Sequence, residues 1–228
     1  MHKLLRLMAV LVFTSSCLAQ AKPGNIAASA AWEPPGDLRD RVSKACGASS
    51  PQRQYADCVM SQMSKAGASA GAVNFTRELY QQSHGEVGIM TAFHHVGAVD
   101  VAWVLYPLHE PSDHGIFLVN GEPRLLNTDD LKQLDQRGMR LDPLFQNLQS
   151  LYPKVGVWPS NPQNVFWPNT QHSPDGGLQF IMGYPLRNGC STCSVIGVVL
   201  FTWNFATDGR FTGASFYRLM PARRPTEP

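Results

Sequence analysis

The sequence predicts an α+β fold, in which a helical N-terminal section packs on a mainly antiparallel sheet of about five or six strands. Three observations lead there. Helical periodicity fills the first part of the chain and one later insertion, and two-residue alternation dominates from Ala98 onward. Turn pairs such as Asn120-Gly121 and Asp208-Gly209 separate the alternating runs. Helices followed by hairpins favour this class over a doubly wound parallel sheet, where the two element types alternate.

Residues 1–21 read as a signal peptide. Lys3 and Arg6 form a basic start, Leu7 to Phe13 an apolar run, and Ala19-Gln20-Ala21 a cleavage site. The run is far shorter than the ~20 residues needed to span a bilayer. Cys17 offers a second reading, a lipid-anchored N-terminal cysteine. It is disfavoured because Thr14 stands where such signals prefer Leu. Of 19 basic residues, two lie in this segment, so the remaining chain balances 17 basic against 17 acidic groups. That neutrality argues against nucleic acid as a partner, which would call for clustered Lys and Arg.

Residues 22–36, broken by Pro23, Gly24, Pro34, Pro35 and Gly36, read as a linker, and 37–219 as a single domain whose helical part runs to about 97. Asp37 is placed to cap a helix ending near Ala45. Pro51 opens a second, with Tyr55, Cys58, Val59 and Met63 on one face. A third spans about Ala70 to Gln82, burying Ala72, Phe75, Leu79 and Tyr80. Met90, Phe93 and His94 suggest a short helix within 84–97. Val99, Val101, Trp103 and Leu105 then form the apolar face of a strand.

The runs 115–119 and 122–126 flank Asn120-Gly121 as a hairpin, with Pro123 marking an edge strand. Thr128-Asp129-Asp130 opens a helix to about Gln136. Asp142-Pro143 opens another, with Leu144, Phe145, Leu148, Leu151 and Tyr152 as its stripe. Residues 158–177 read as loop. Leu178 to Tyr184, Val195 to Phe205 and Phe211 to Leu219 are strands. The middle one is apolar on both faces over its first half, as suits an interior strand covered there on both sides. Residues 220–228, rich in Pro and Arg, read as a disordered tail.

Beyond Cys17, four cysteines remain: Cys46, Cys58, Cys190 and Cys193. In an exported chain an even count reads as disulfides, and local geometry favours Cys46–Cys58 with Cys190–Cys193. The Cys190-Ser191-Thr192-Cys193 motif has a redox reading, with Cys190 as nucleophile. That chemistry wants a helix N-terminus after the motif to stabilise the thiolate. Here β-branched, alternating residues follow, so a disulfide clip at a strand start is the stronger reading. Zinc held by all four cysteines is poorly supported, because eleven residues separate Cys46 from Cys58.

His94 and His95 with His109 and His114 form a candidate metal-binding set, although neither pair has the i, i+4 spacing of a helical site. A candidate ligand loop carries Trp158, Asn161, Asn164, Phe166 and Trp167. There aromatic platforms alternate with amides, as suits a glycan or an extended peptide. No nucleophile elbow, phosphate-cradling glycine loop or Ser-x-x-Lys occurs. The resulting expectation is a periplasmic or secreted protein of the bacterial envelope, non-enzymatic and without a cofactor. It would bind an envelope protein, peptide or glycan. Thiol–disulfide exchange and metal binding stand as the alternatives.

Overall fold

The computed structural model describes residues 24–47, 52–83, 85–109, 113–160 and 167–222. The expected signal peptide, Cys17, and the last six residues of the expected tail lie outside these. Three layers are stacked: helices, a four-stranded sheet and a six-stranded sheet. The α+β class holds, with the strands divided between two sheets rather than gathered into one of five or six.

The helical layer contains α1 (Leu38–Cys46), α2 (Gln52–Lys65) and α3 (Ala70–Gln82). Ser69 caps α3, its side chain accepting from the Ala72 amide. Phe75 and Leu79 turn toward the small sheet, while Val73 and Tyr80 pack with Leu38, Val42, Val59 and Met63 of α1 and α2. Asp37 precedes α1 but does not cap it through its side chain. Its carboxylate pairs with Arg41 instead.

The small sheet is an antiparallel meander of β1 (Ile89–His94), β2 (Asp100–Tyr106), β3 (Asp113–Val119) and β4 (Leu125–Asn127). The short helix expected within 84–97 is therefore a strand. Ile89 and Met90 are buried opposite Leu105 and Val104, and cross-strand pairing overrides a weak helical pattern. Asn120 turns the β3–β4 hairpin at φ 69°. The second strand starts at Leu125, three residues later than expected, and forms the sheet edge.

The large sheet runs β5 (Leu134–Asp135), β10 (Phe211–Pro221), β9 (Val195–Phe205), β8 (Leu178–Asn188) and β6 (Val155–Val157), with β7 (Asn169–His172) also on β8. All its pairings are antiparallel except β5 with β10. Strand β7 comes from the expected loop, β6 lies just before it, and β10 takes in the start of the expected tail. Phe180, Tyr184, Phe201 and Trp203 of this sheet meet Val101, Trp103, Ile116 and Leu118 of the small one in the main core. Ile196, Val198 and Leu200 on the outer face are only half-buried, so β9 is fully covered on one side alone.

Two further expectations change. The supposed linker is built into the fold. Ile26 and Ala30 are buried against α3, and a short 3-10 turn spans Ala28–Ala30. Alanines let this segment approach Gly71 of α3 closely, where an added Cβ would stand 3.3 Å from that of Ala30. The helix expected from Thr128 to Gln136 is a 3-10 turn, Leu131–Gln133, then β5, then α4 (Arg137–Leu141). The Asn127 and Asp130 side chains accept the amides of Asp129 and Lys132, offering the backbone an alternative to a helix. Asp142 then caps α5 (Pro143–Leu151), accepting from Leu144 and Phe145. Of its expected stripe only Phe145 and Leu148 are buried.

Candidate functional site

Both disulfide pairings form as expected. Cys46–Cys58 ties the end of α1 to α2, and Cys190–Cys193 closes the turn between β8 and β9. No helix begins after the second pair. The Cys193 amide bonds to the Cys190 carbonyl, and β9 starts at Val195. The guanidinium of Arg187 donates to the Cys193 carbonyl.

The fold sends the four histidines to opposite ends of β2. His94 lies opposite Val101, and His95 Nδ1 stands 2.8 Å from Asp100 Oδ1. His114 lies opposite Leu105, and the ring of His109 stacks on Tyr106 at 5.1 Å. Four or more residues along a strand span roughly 13 Å, whereas metal–imidazole bonds are about 2 Å. The four therefore do not gather round one ion. Among the described residues no cluster of three or more His, Cys, Asp or Glu side chains is placed to hold a metal.

The candidate ligand loop is described only at its ends, Asn161, Asn164 and Phe166 lying outside the described residues. Trp167 stacks on His94, with ring centroids 5.2 Å apart. Trp158 donates its amide to the Pro185 carbonyl, and two residues later Ser160 donates its amide to Asp129 Oδ1 at 3.1 Å. The loop is thus anchored at both ends of the small sheet.

Asp129 is the centre of the most unusual chemistry in the molecule. The Thr128 amide bonds to Ile116, which continues the β3–β4 ladder and sets Asp129 beside Gly115. Beneath it runs a buried chain: Trp203 Nε1 donates to the Tyr184 hydroxyl, which donates to the Thr128 carbonyl. The Asp129 carboxyl is pushed up to about 7, chiefly by burial, with Asp113 adding to the rise and the Ser160 amide opposing it. Tyr106 sits on the neighbouring strand, and its hydroxyl is pushed above the ordinary phenol value. Burial is the main cause, followed by the carboxylates of Glu86, Asp129 and Asp113.

Gly115 lets these two side chains pack closely over its buried backbone. A Cβ placed on it would stand 3.3 Å from Asp129 Oδ2, 3.4 Å from the Tyr106 ring and 3.8 Å from the Tyr106 hydroxyl. Strand alternation puts Tyr106 and Gly115 on the α3 side of the sheet, and His114 on the other, where it tilts against Trp103. Of the four histidines only His109 joins this site.

Two clefts flank α3, of about 360 and 470 Å³, and several polar groups lining them are paired within the fold. Arg124 binds Glu78 in the first, and Asp130 takes the Lys132 amide and the Gln133 side chain in the second. Sequence reasoning took Asp129 for a helix start and assigned Tyr106 and Gly115 no role. Nothing in their spacing joins them, because the link is strand register.

Compared with known proteins, the chain matches no family model, no curated protein and no solved structure.

Proposed function

We propose that this protein is an exported, non-enzymatic binding domain whose ligand site is the β2–β3 end of the small sheet, around Asp129, Tyr106 and Gly115. The observation that carries this is the half-buried Asp129 carboxyl, pushed up to about 7 by its surroundings, next to Tyr106. Carboxyls so displaced concentrate at functional sites. Ser160, at the described start of the candidate ligand loop, is tied directly to Asp129. Two disulfides fit an extracytoplasmic setting, and no helix among the described residues is long and apolar enough to cross a membrane.

The test is a screen of amines, dipeptides and short glycans against isotope-labelled protein, read at the Gly115 and Ser160 backbone amides. Saturable shifts at both, with the compounds recovered unchanged, support a binding domain. Silence at both positions across all three classes, or chemical turnover of a compound, overturns it.

A further inference from the structure

We propose that the corner of the molecule formed by α4, α5 and the adjoining strand ends of the large sheet docks on an anionic lipid bilayer. The inference is independent of the site around Asp129.

The first support is where exposed apolar surface collects. Among the described residues, every large hydrophobic side chain that stands out into solvent lies in one of two stretches, 141–152 or 195–220. Leu141, at the end of α4, is 76% exposed, and Leu144 and Leu151 of α5 are 47% and 56% exposed. Single exposed leucines are ordinary on a protein surface, whereas a group of them marks an interaction site.

The fold brings the two stretches together. A Cβ on Gly138 of α4 would stand 3.2 Å from Phe216 of β10. One on Gly197 of β9 would stand 3.6 Å from Leu148 of α5 and 3.2 Å from the Met220 carbonyl. The chain then enters β6, on the far side of β8, so α5 passes across the large sheet near the turn that joins β8 to β9. Phe145 and Leu148 are its buried face, while Leu144 and Leu151, about two helical turns apart, line one flank. Val195 and Met220 are exposed on the strand ends beside it.

The second support is charge. Arg140, Lys154, Arg187 and Arg218 lie on or beside these elements, and none forms an ion pair among the described residues. Between Pro143 and Ala222 the only carboxylates are Asp175 and Asp208, which stand in turns at the opposite end of the sheet. Of the acids near the corner, Asp135 is paired with Arg137, and Asp142 caps α5. The surface around the leucines is therefore positive, which complements an anionic partner.

The same features select a bilayer. A protein partner needs fixed pockets matched to each anchor, whereas leucines that protrude singly find their own depth in a fluid acyl layer while cations beside them meet phosphates. Tyr152 and Tyr217 are also exposed here, and Arg218 lies 5.8 Å over the Tyr217 ring, a pairing suited to the headgroup level. A second copy meeting this face would set cations against cations.

The experiment floats the protein with vesicles of phosphatidylcholine alone or mixed with phosphatidylglycerol. The chain starts at Lys22, which keeps every described residue and omits the apolar run Leu7 to Phe13. Binding to the mixed vesicles should exceed that to phosphatidylcholine by roughly tenfold and fall as salt is raised. Leu141→Ser with Leu151→Ser should weaken it several-fold. Arg140→Gln with Lys154→Gln should do the same on mixed vesicles and leave phosphatidylcholine unaffected. All these side chains are exposed, so both variants should melt near the parent. Equal binding to the two vesicle types, no binding to either, or undiminished binding in the leucine variant overturns the proposal. If vesicles fail while immobilised polyglutamate retains the parent and not the Arg140 and Lys154 variant, the corner serves an acidic protein instead. A dimer in solution that the leucine variant breaks would assign it to a second copy, and the lipid assignment falls in either case.

Discussion

Two aspartates at opposite ends of the small sheet are treated very differently by the fold. Asp100, at the start of β2, is 4% exposed, and its carboxylate is fully employed. Oδ1 accepts from the amides of Val96 and Gly97 and stands 2.8 Å from His95 Nδ1, and Oδ2 accepts from Asn120 Nδ2 at 2.7 Å. Asn120 in turn grips both the amide and the carbonyl of Ile26, so one carboxylate fastens the β1–β2 turn, the β3–β4 turn and the N-terminal segment. Asp129, across from Gly115, is held among the described residues by one amide donor, Ser160, at Oδ1. Asp100 is thus a carboxylate that fastens three segments, whereas Asp129 fastens one.

The sharpest way to break this contrast is Asp100→Ala. It strands three donors and frees Asn120, so a loss of roughly 3–5 kcal/mol is expected, lowering the melting temperature by about 10 °C. A loss below about 1 kcal/mol in a thermal melt would remove Asp100 from its structural role.

Next in size is the pH dependence at Asp129. Its folded carboxyl holds a proton up to about pH 7, whereas an unfolded one releases it near 3.8. The stabilisation is therefore complete below about pH 4 and disappears as pH rises to 7. After discounting for partial exposure it is worth about 2 kcal/mol. Urea unfolding of the parent and of Asp129→Asn at pH 4.5 and 8 measures it. The parent should lose this increment between the two, the variant should not, and parallel behaviour would refute the assignment.

Two tyrosines give a finer version of the contrast. Tyr184→Phe severs the Trp203–Tyr184–Thr128 chain and should cost about 1–2 kcal/mol. Tyr106→Phe removes a hydroxyl that bonds nothing among the described residues and should cost no more than about 0.5 kcal/mol. Chemical denaturation of both variants checks the ordering, and equal losses would mean that the Tyr106 hydroxyl has a structural partner.

The smallest effect is expected at His95. Its side chain is 75% exposed although it bonds to Asp100, so His95→Ala should change stability by less than about 0.5 kcal/mol. A larger loss in the same assay would show that the Asp100 end depends on its imidazole as well as on backbone amides.

Much of the fold was legible, and the reasons are local. α3 spans the residues that its apolar stripe and flanking glycines indicate, and α5 begins at Pro143 because Asp142-Pro143 is a start signal in any context. Both disulfides were readable because each closes a short loop between neighbouring segments. The site was far less legible. Trp158, Trp167 and the histidines drew attention as residue types able to bind ligands, yet the histidines divide between two ends of a strand, and only His109 and the Trp158 end of the loop reach Asp129's surroundings.

Periodicity and turn signals alone specify the α+β class, the three N-terminal helices and the long strands β8 to β10, and they favour, without fixing, the cysteine pairing that forms. All of these follow from periodicity, capping and short separations along the chain. Tertiary structure alone decided that the strands form two sheets and that residues 24–36 join the core. It also decided that Tyr106, Gly115 and Asp129 pack together. Which residues of neighbouring strands stand opposite one another depends on register and on the packing of whole layers, and neither leaves a mark in the local spacing of residues.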